Sequence, residues 1–126
     1  EYKVVNGSGL SRGNKLTAHL IVQLLCYVYS QPEYSKAFIA SLPIMGVDGT
    51  LGKRHKNDEI TERIRAKTGS LDDVSAISGY ATTKEGRTLA FSLLINKRTK
   101  KNIDFAKVKD RFLFAINDVV INDDNK

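Results

Sequence analysis

The chain has 126 residues, of which 41% are hydrophobic, and its 20 Lys and Arg against 14 Asp and Glu give a net charge of +6. That length suits one domain with a modest core, and the longest apolar run, Leu20 to Tyr29 with Gln23 inside it, is too short to span a bilayer. The single cysteine, Cys26, excludes an internal disulfide, and His19 and His55 lack metal-ligand companions, so neither a metal nor a cofactor is expected.

In chain order, Tyr2 to Val5 reads as a short strand, followed by a glycine-rich turn through Asn6-Gly7-Ser8-Gly9 and Leu10 to Asn14. Thr17 is a good N-cap for a helix from Ala18 to about Ser30. That helix is apolar around most of its circumference, which predicts deep burial, with Cys26 as a core thiol. Pro32 and Glu33 open a second, shorter helix that runs through Phe38 to Ala40 and ends before Pro43. Ile44 to Asn57 carries Gly46, Gly49 and Gly52 without a periodic pattern and reads as a long ordered loop, in which Asp48 can bond its own backbone.

Strands are predicted at about Arg63 to Ser70, Val74 to Thr82 and Thr88 to Asn96, the last two joined by a turn at Thr83 to Arg87. Leu89, Phe91, Leu93 and Ile95 alternate to give one apolar face. A final helix from about Asp104 to Val120 places Phe105, Val108, Phe112, Ile116 and Val119 on one stripe, with Lys107, Lys109, Asp110 and Arg111 mostly turned away. Asn122 to Lys126 reads as a frayed tail. The fold class is therefore α+β, a three-stranded antiparallel sheet with packing helices.

The chemistry concentrates in Lys67-Thr68-Gly69-Ser70, at the end of the first main strand and just before the polar break Leu71-Asp72-Asp73. An ammonium and two hydroxyls there can hold a small carboxylate, and a glycine lets a second backbone approach closely. The basic cluster Lys97 to Lys101 is read as a solvated turn, because no nucleic-acid-binding motif accompanies it. Gly7-Ser8-Gly9 has the wrong spacing for a nucleophile elbow. The Ser8 and Ser11 region is read as a structural turn in which Arg12 makes fixed hydrogen bonds.

Three segments carry a resemblance. Asn6-Gly7-Ser8-Gly9-Leu10-Ser11-Arg12, Leu42-Pro43-Ile44-Met45-Gly46-Val47-Asp48-Gly49-Thr50-Leu51 and Ala66-Lys67-Thr68-Gly69-Ser70-Leu71 resemble, in this order, segments of the class C low-molecular-mass penicillin-binding proteins. These are D-alanyl-D-alanine carboxypeptidases and endopeptidases of peptidoglycan. Asn6 stands where that family usually has aspartate. The family's Ser-x-x-Lys nucleophile motif and its Ser-x-Asn motif are absent from these residues, and Thr50-Leu51-Gly52-Lys53 is not read as a substitute. The resemblance therefore implies the C-terminal part of a penicillin-binding-protein or β-lactamase-like transpeptidase fold, with the nucleophile-bearing part outside residues 1–126. Glu1 in place of methionine fits a processing, cloning or truncation point.

By that resemblance Lys67 and Ser70 are catalytic, Lys67 through its positive potential and Ser70 through a backbone N–H in the oxyanion hole. Thr68, Gly69, Ser70 and Leu71 bind substrate. The implied partners are the peptidoglycan stem peptide ending in D-Ala-D-Ala and, for the full-length form, β-lactams, with no nucleic acid. The implied location is the periplasm or outer cell surface. The segment alone is expected to be inactive and to dimerise through the edge of the 88–96 strand. The competing expectations are a non-catalytic peptidoglycan-peptide binding module and, more weakly, a nucleic-acid binder acting through Lys97 to Lys101.

Overall fold

The computed structural model describes residues 2–96 and 103–121. Three strands, β1 (Ile64–Leu71), β2 (Val74–Thr82) and β3 (Thr88–Asn96), form one antiparallel sheet in the order β1-β2-β3. The register runs from Ile64 opposite Ala81 to Leu71 opposite Val74, and from Val74 opposite Asn96 to Thr82 opposite Thr88. Helix α1 (Ala18–Tyr29) and the shorter α2 (Ser35–Ser41) lie on one side, and α3 (Phe105–Asn117) packs on the other.

Alternation along the strands sorts the side chains between the two faces. Ile64, Ala66, Ile77, Ala81 and Phe91 turn toward α3 and form the core with Leu113 and Ile116. The core is completed by the segment before β1, which contributes Met45, Leu51 and Ile60, all fully buried. Each such aliphatic side chain stabilises the fold by about 1.5–3 kcal/mol relative to exposure. On the opposite face Tyr80 reaches α1, where its hydroxyl donates to the Leu25 carbonyl at 2.7 Å and its ring meets that of Tyr29. Gly79 in β2 is dictated by packing: a Cβ there would sit 2.2 Å from the Arg65 carbonyl oxygen and 2.6 Å from Ala66 Cα.

The helix caps follow the sequence. The Thr17 hydroxyl accepts from Leu20 N–H, and the Asp104 carboxylate accepts from Lys107 N–H, both at 3.1 Å. The expected α+β arrangement and its three strands are present, with β1 displaced by one residue from the predicted 63–70. Helix α2 begins at Ser35, after turns over 32–34, and α3 stops at Asn117 rather than Val120.

Three expectations are corrected. Tyr2 to Val5 is no sheet strand and makes a single bridge, Lys3 to Lys15, because its apolar side chains have nothing to pack on. Only Leu25 and Val28 of α1 are buried, and Cys26 is exposed, since just one side of that helix touches the sheet. In α3 the buried positions are Lys109, Leu113, Ile116 and Asn117, so the helix is rotated from the predicted stripe and Val108 and Val119 are exposed. Lys109 thus lies against the fold rather than away from it, an orientation its long aliphatic stem tolerates; burial and the nearby Arg54 lower its pKa. The long ordered loop expected over 44–57 is present, with a bridge between Ile44 and Arg65 and a 3-10 turn at Gly49–Leu51. Lys97 to Lys101, Asn122 to Lys126 and Glu1 lie outside the described residues.

Candidate functional site

β1 is an outer strand of the sheet, and its free side is used in two different ways. Over the first half, Met45 N–H donates to the Ile64 carbonyl at 2.9 Å and Ala66 N–H donates to the Pro43 carbonyl at 3.0 Å. These bonds fix the parity of the strand, since in an antiparallel pair alternate residues direct their amides to opposite sides. Arg63, Arg65, Lys67, Gly69 and Leu71 face β2, consistent with the 2.8 Å bond from Thr82 N–H to the Arg63 carbonyl. Ile64, Ala66, Thr68 and Ser70 therefore face outward. Beyond Ala66 the covering segment has turned away, and the N–H groups of Thr68 and Ser70 have no protein partner among the described residues.

The side chains of the predicted site gather around this open stretch. Lys67 is exposed on the α1 face, and its ammonium bends to the strand border, donating to the outward Thr68 carbonyl at 2.9 Å. Thr68 and Ser70 project on the opposite face, Thr68 half-buried and Ser70 exposed. The cation and the two hydroxyls thus flank one backbone edge from its two sides. Gly69 lies between them, and a Cβ there would meet only Ala76 Cβ, at an ordinary 3.6 Å. Neither the chain's packing nor a left-handed backbone requires glycine at this position. An incoming group with a negative end can meet a positive charge, hydroxyl donors and N–H groups here without displacing any protein hydrogen bond to those N–H groups.

Leu71 leads into a cleft of about 380 Å³ bounded by Leu71, Val74, Leu94, Leu16 and Ile21, with Arg12 and Asp73 at its polar side. Arg12 donates to the Asp73 carboxylate at 2.8 Å, which ties the N-terminal turn to the β1–β2 turn. Its hydrogen bond holds the Asp73 carboxyl below its ordinary pKa. The fixed hydrogen bonding expected of Arg12 is therefore present. Asp73 lines the cleft and its neighbour Asp72 does not. The turn itself is organised locally: the Asn14 carboxamide accepts from Val5 N–H at 2.8 Å, and Ser11 Oγ accepts from Gly13 N–H at 3.1 Å.

Two features of the site escaped the sequence reading. Thr68 Oγ1 bonds Thr50 Oγ1 at 3.0 Å, across eighteen residues, so the 3-10 turn joins the site. In the sequence Thr50 and Thr68 share only their membership in segments that carry the family resemblance, which does not specify a contact. Behind the covered half of β1, His55 lies between Asp58 at 2.8 Å and Asp110 at 2.9 Å, and Arg54 also pairs with Asp110. This network links the 44–62 segment to α3. Among the described residues no group of three or more His, Cys, Asp or Glu side chains could hold a metal, and no helix is long and apolar enough to cross a membrane.

The sequence profile of the D-Ala-D-Ala carboxypeptidase 3 (S13) family matches residues 1–113. The chain belongs to that family. It is 44% identical over 96 residues to a D-alanyl-D-alanine carboxypeptidase of an Actinomadura species, a match covering 72% of this chain and 18% of that relative. It is 34% identical over 95 residues to the D-alanyl-D-alanine carboxypeptidase DacB of Haemophilus influenzae, covering 74% of this chain and 20% of that one. The chain thus spans about a fifth of the length of these relatives. Penicillin binding protein 4 (dacB) of Haemophilus influenzae superposes with a TM-score of 0.81 at 25% identity, over 94% of this chain and 28% of that one. A predatory peptidoglycan endopeptidase of Bdellovibrio bacteriovorus shares the fold, with a TM-score of 0.69 at 21% identity over 92% of this chain and 31% of that one. The sheet and helices of this S13 chain are accordingly a portion of a penicillin-binding-type fold, as the three motifs implied.

Proposed function

We propose that this S13 chain is the C-terminal part of a serine-type D-alanyl-D-alanine carboxypeptidase or endopeptidase, and that Lys67 to Leu71 form its substrate-binding strand. The observation that carries the reading is the open half of β1, where the outward amides of Thr68 and Ser70 lie between the Lys67 ammonium and the Thr68 and Ser70 hydroxyls. The reaction is acyl transfer. A serine oxygen attacks the carbonyl between two D-alanines, the C–N bond breaks as the amine takes a proton, and water then hydrolyses the ester. That serine belongs to polypeptide outside residues 1–126.

In this scheme Lys67 supplies positive potential near the nucleophile, and the hydroxyls of Thr68 and Ser70 hold the terminal carboxylate. Ser70 N–H donates to the oxyanion as negative charge develops on the carbonyl, a contact whose loss costs about 3 kcal/mol in comparable enzymes. Gly69 leaves the backbone open to the substrate chain, and Leu71 with its cleft receives the remainder of the stem peptide. β-Lactams, which bring a carboxylate and a strained amide, would meet the same groups. The substrate places the protein outside the cytoplasm, in the periplasm or on the outer cell surface.

A fluorescent penicillin tests the reading. The 126-residue chain should stay unlabelled, and the full-length product should take a covalent label. An unlabelled full-length product would leave a peptidoglycan-peptide binding module in place of an enzyme. The isolated chain is further proposed to dimerise through β3, whose outward amides at Ala90, Ser92 and Leu94 line the other sheet border. Sedimentation showing only monomer, with those amides protected from exchange, would remove the dimer.

A further inference from the structure

The Thr68 hydroxyl is held by one side chain, and that side chain comes from a turn built with unusual rigidity for an exposed segment. The Asp48 carboxylate accepts from Ile44 N–H at 2.6 Å, Gly46 N–H donates to the Leu51 carbonyl at 3.1 Å, and Leu51 is fully buried. Gly49 has φ +54°, and a Cβ there would lie 2.9 Å from Pro43 Cγ, so both conformation and space require glycine. The same Pro43 accepts the Ala66 amide on β1. The turn is thereby locked to the strand on one side and to the core on the other, and Thr50, itself exposed, is delivered to Thr68 Oγ1 at 3.0 Å.

We infer that Thr50 is a positioning residue for the carboxylate-binding hydroxyl of Thr68. This rests on the proposed reading of β1 as a carboxylate site. A hydroxyl carries one proton and can accept at two lone pairs. In the structure Thr68 Oγ1 donates its proton to Thr50 Oγ1, which leaves only lone pairs for a carboxylate, and these repel it. When an anion arrives, Thr50 turns donor to Thr68 Oγ1, and Thr68 turns its own proton to the carboxylate. No bond to carbon changes; two O–H groups rotate. The resulting chain, Thr50 to Thr68 to carboxylate, strengthens through mutual polarisation and fixes the Thr68 rotamer. The Lys67 ammonium acts from the other face and does not substitute for this directional contact.

The test uses the 126-residue chain, with N-acetyl-D-Ala-D-Ala and its C-terminal amide titrated against the backbone amide resonances of Thr68 and Ser70. Thr50→Val removes the hydroxyl and keeps the shape. It should weaken the acid by roughly three- to tenfold, the scale of one net hydrogen bond, and leave the amide unchanged. Thr50→Ser should restore the acid to near its original affinity. Equal binding of the acid by Thr50→Val, with Thr68→Val still weakened, overturns the role of Thr50 while the site reading survives. Equal weakening of acid and amide by Thr50→Val also overturns it, because that is the signature of a merely structural residue. Failure of the unaltered chain to prefer the acid, or indifference to Thr68→Val, overturns both.

Discussion

The two halves of β1 have similar backbones and opposite surroundings. From Ile64 to Ala66 the strand is buried on its core face, and its outer edge is closed by Pro43 and Met45. From Lys67 to Leu71 the same strand has an open outer edge and mainly exposed side chains. Two glycines express the contrast. Gly79 in β2 is needed because the first half of β1 presses against it, whereas nothing among the described residues requires Gly69. A small residue without an internal reason, on a free edge beside a cation and hydroxyls, directs attention to what binds there. Closed and open backbone edges on one strand are a way to make a rigid platform for a transient partner, because the closed half fixes the geometry that the open half presents.

The largest effect should come from confusing the two glycines. Gly79→Ala drives a methyl group into the Arg65 carbonyl and Ala66 backbone, neither of which can move without breaking the sheet. It should destabilise the chain by about 3 kcal/mol or more, read as a lowered urea midpoint or a failure to fold. An unchanged midpoint would mean that the closed half is not packed as described.

Gly69→Ala sharpens the other side of the contrast. Its Cβ meets only Ala76 at van der Waals distance, so stability should stay within about 0.5 kcal/mol of the original. Affinity for a D-Ala-D-Ala peptide should nevertheless fall about tenfold, which corresponds to about 1.4 kcal/mol of steric conflict. The two measurements on one variant separate a glycine kept for folding from one kept for a partner. Full retention of peptide affinity would remove the reason offered for Gly69.

Most of the sheet and much of the candidate site were legible because their signals are local. The alternation of Leu89, Phe91, Leu93 and Ile95 marks β3 directly, and Lys67 to Ser70 are neighbours in the chain, so their association needs no folding. The hidden parts are those that depend on distant packing. Which flank of α3 faces the sheet is decided by Phe91 and the buried Met45, Leu51 and Ile60, so the rotation that buries Leu113 and Lys109 is not readable from the helix alone. The exposure of Cys26 likewise depends on how much surface the sheet offers to α1. The Thr50–Thr68 bond and the Arg12–Asp73 pair connect segments 18 and 61 residues apart, with no periodicity to announce them.

The closed half also has a support that the open half lacks, and pH can loosen it. Burial lowers the pKa of His55, but hydrogen bonds donated by its ring to Asp110 and then Asp58 outweigh burial and raise it above its ordinary 6.5. A raised folded-state pKa means that the histidine's contribution is complete below 6.5 and is lost as pH climbs through the higher folded value. For Asp110, burial acts upward, yet hydrogen bonds from His55 and Arg54 bring it below 3.8, so its contribution is complete above 3.8 and is lost as pH falls through the lower folded value. The network tying the 44–62 segment to α3 is therefore strongest between 3.8 and 6.5. Between pH 6 and pH 9 the unaltered chain should lose on the order of 1 kcal/mol or less from this source, as expected of partly exposed pairs, and His55→Gln should remove that slope. Hydrogen exchange, corrected for intrinsic rates, should then become faster at the Met45 and Ala66 amides of the closed half. Ser70 N–H, unpaired at either pH, should show little change, whereas parallel slopes in the two proteins, or a matching response at Ser70, would show that the two halves of β1 are not supported separately.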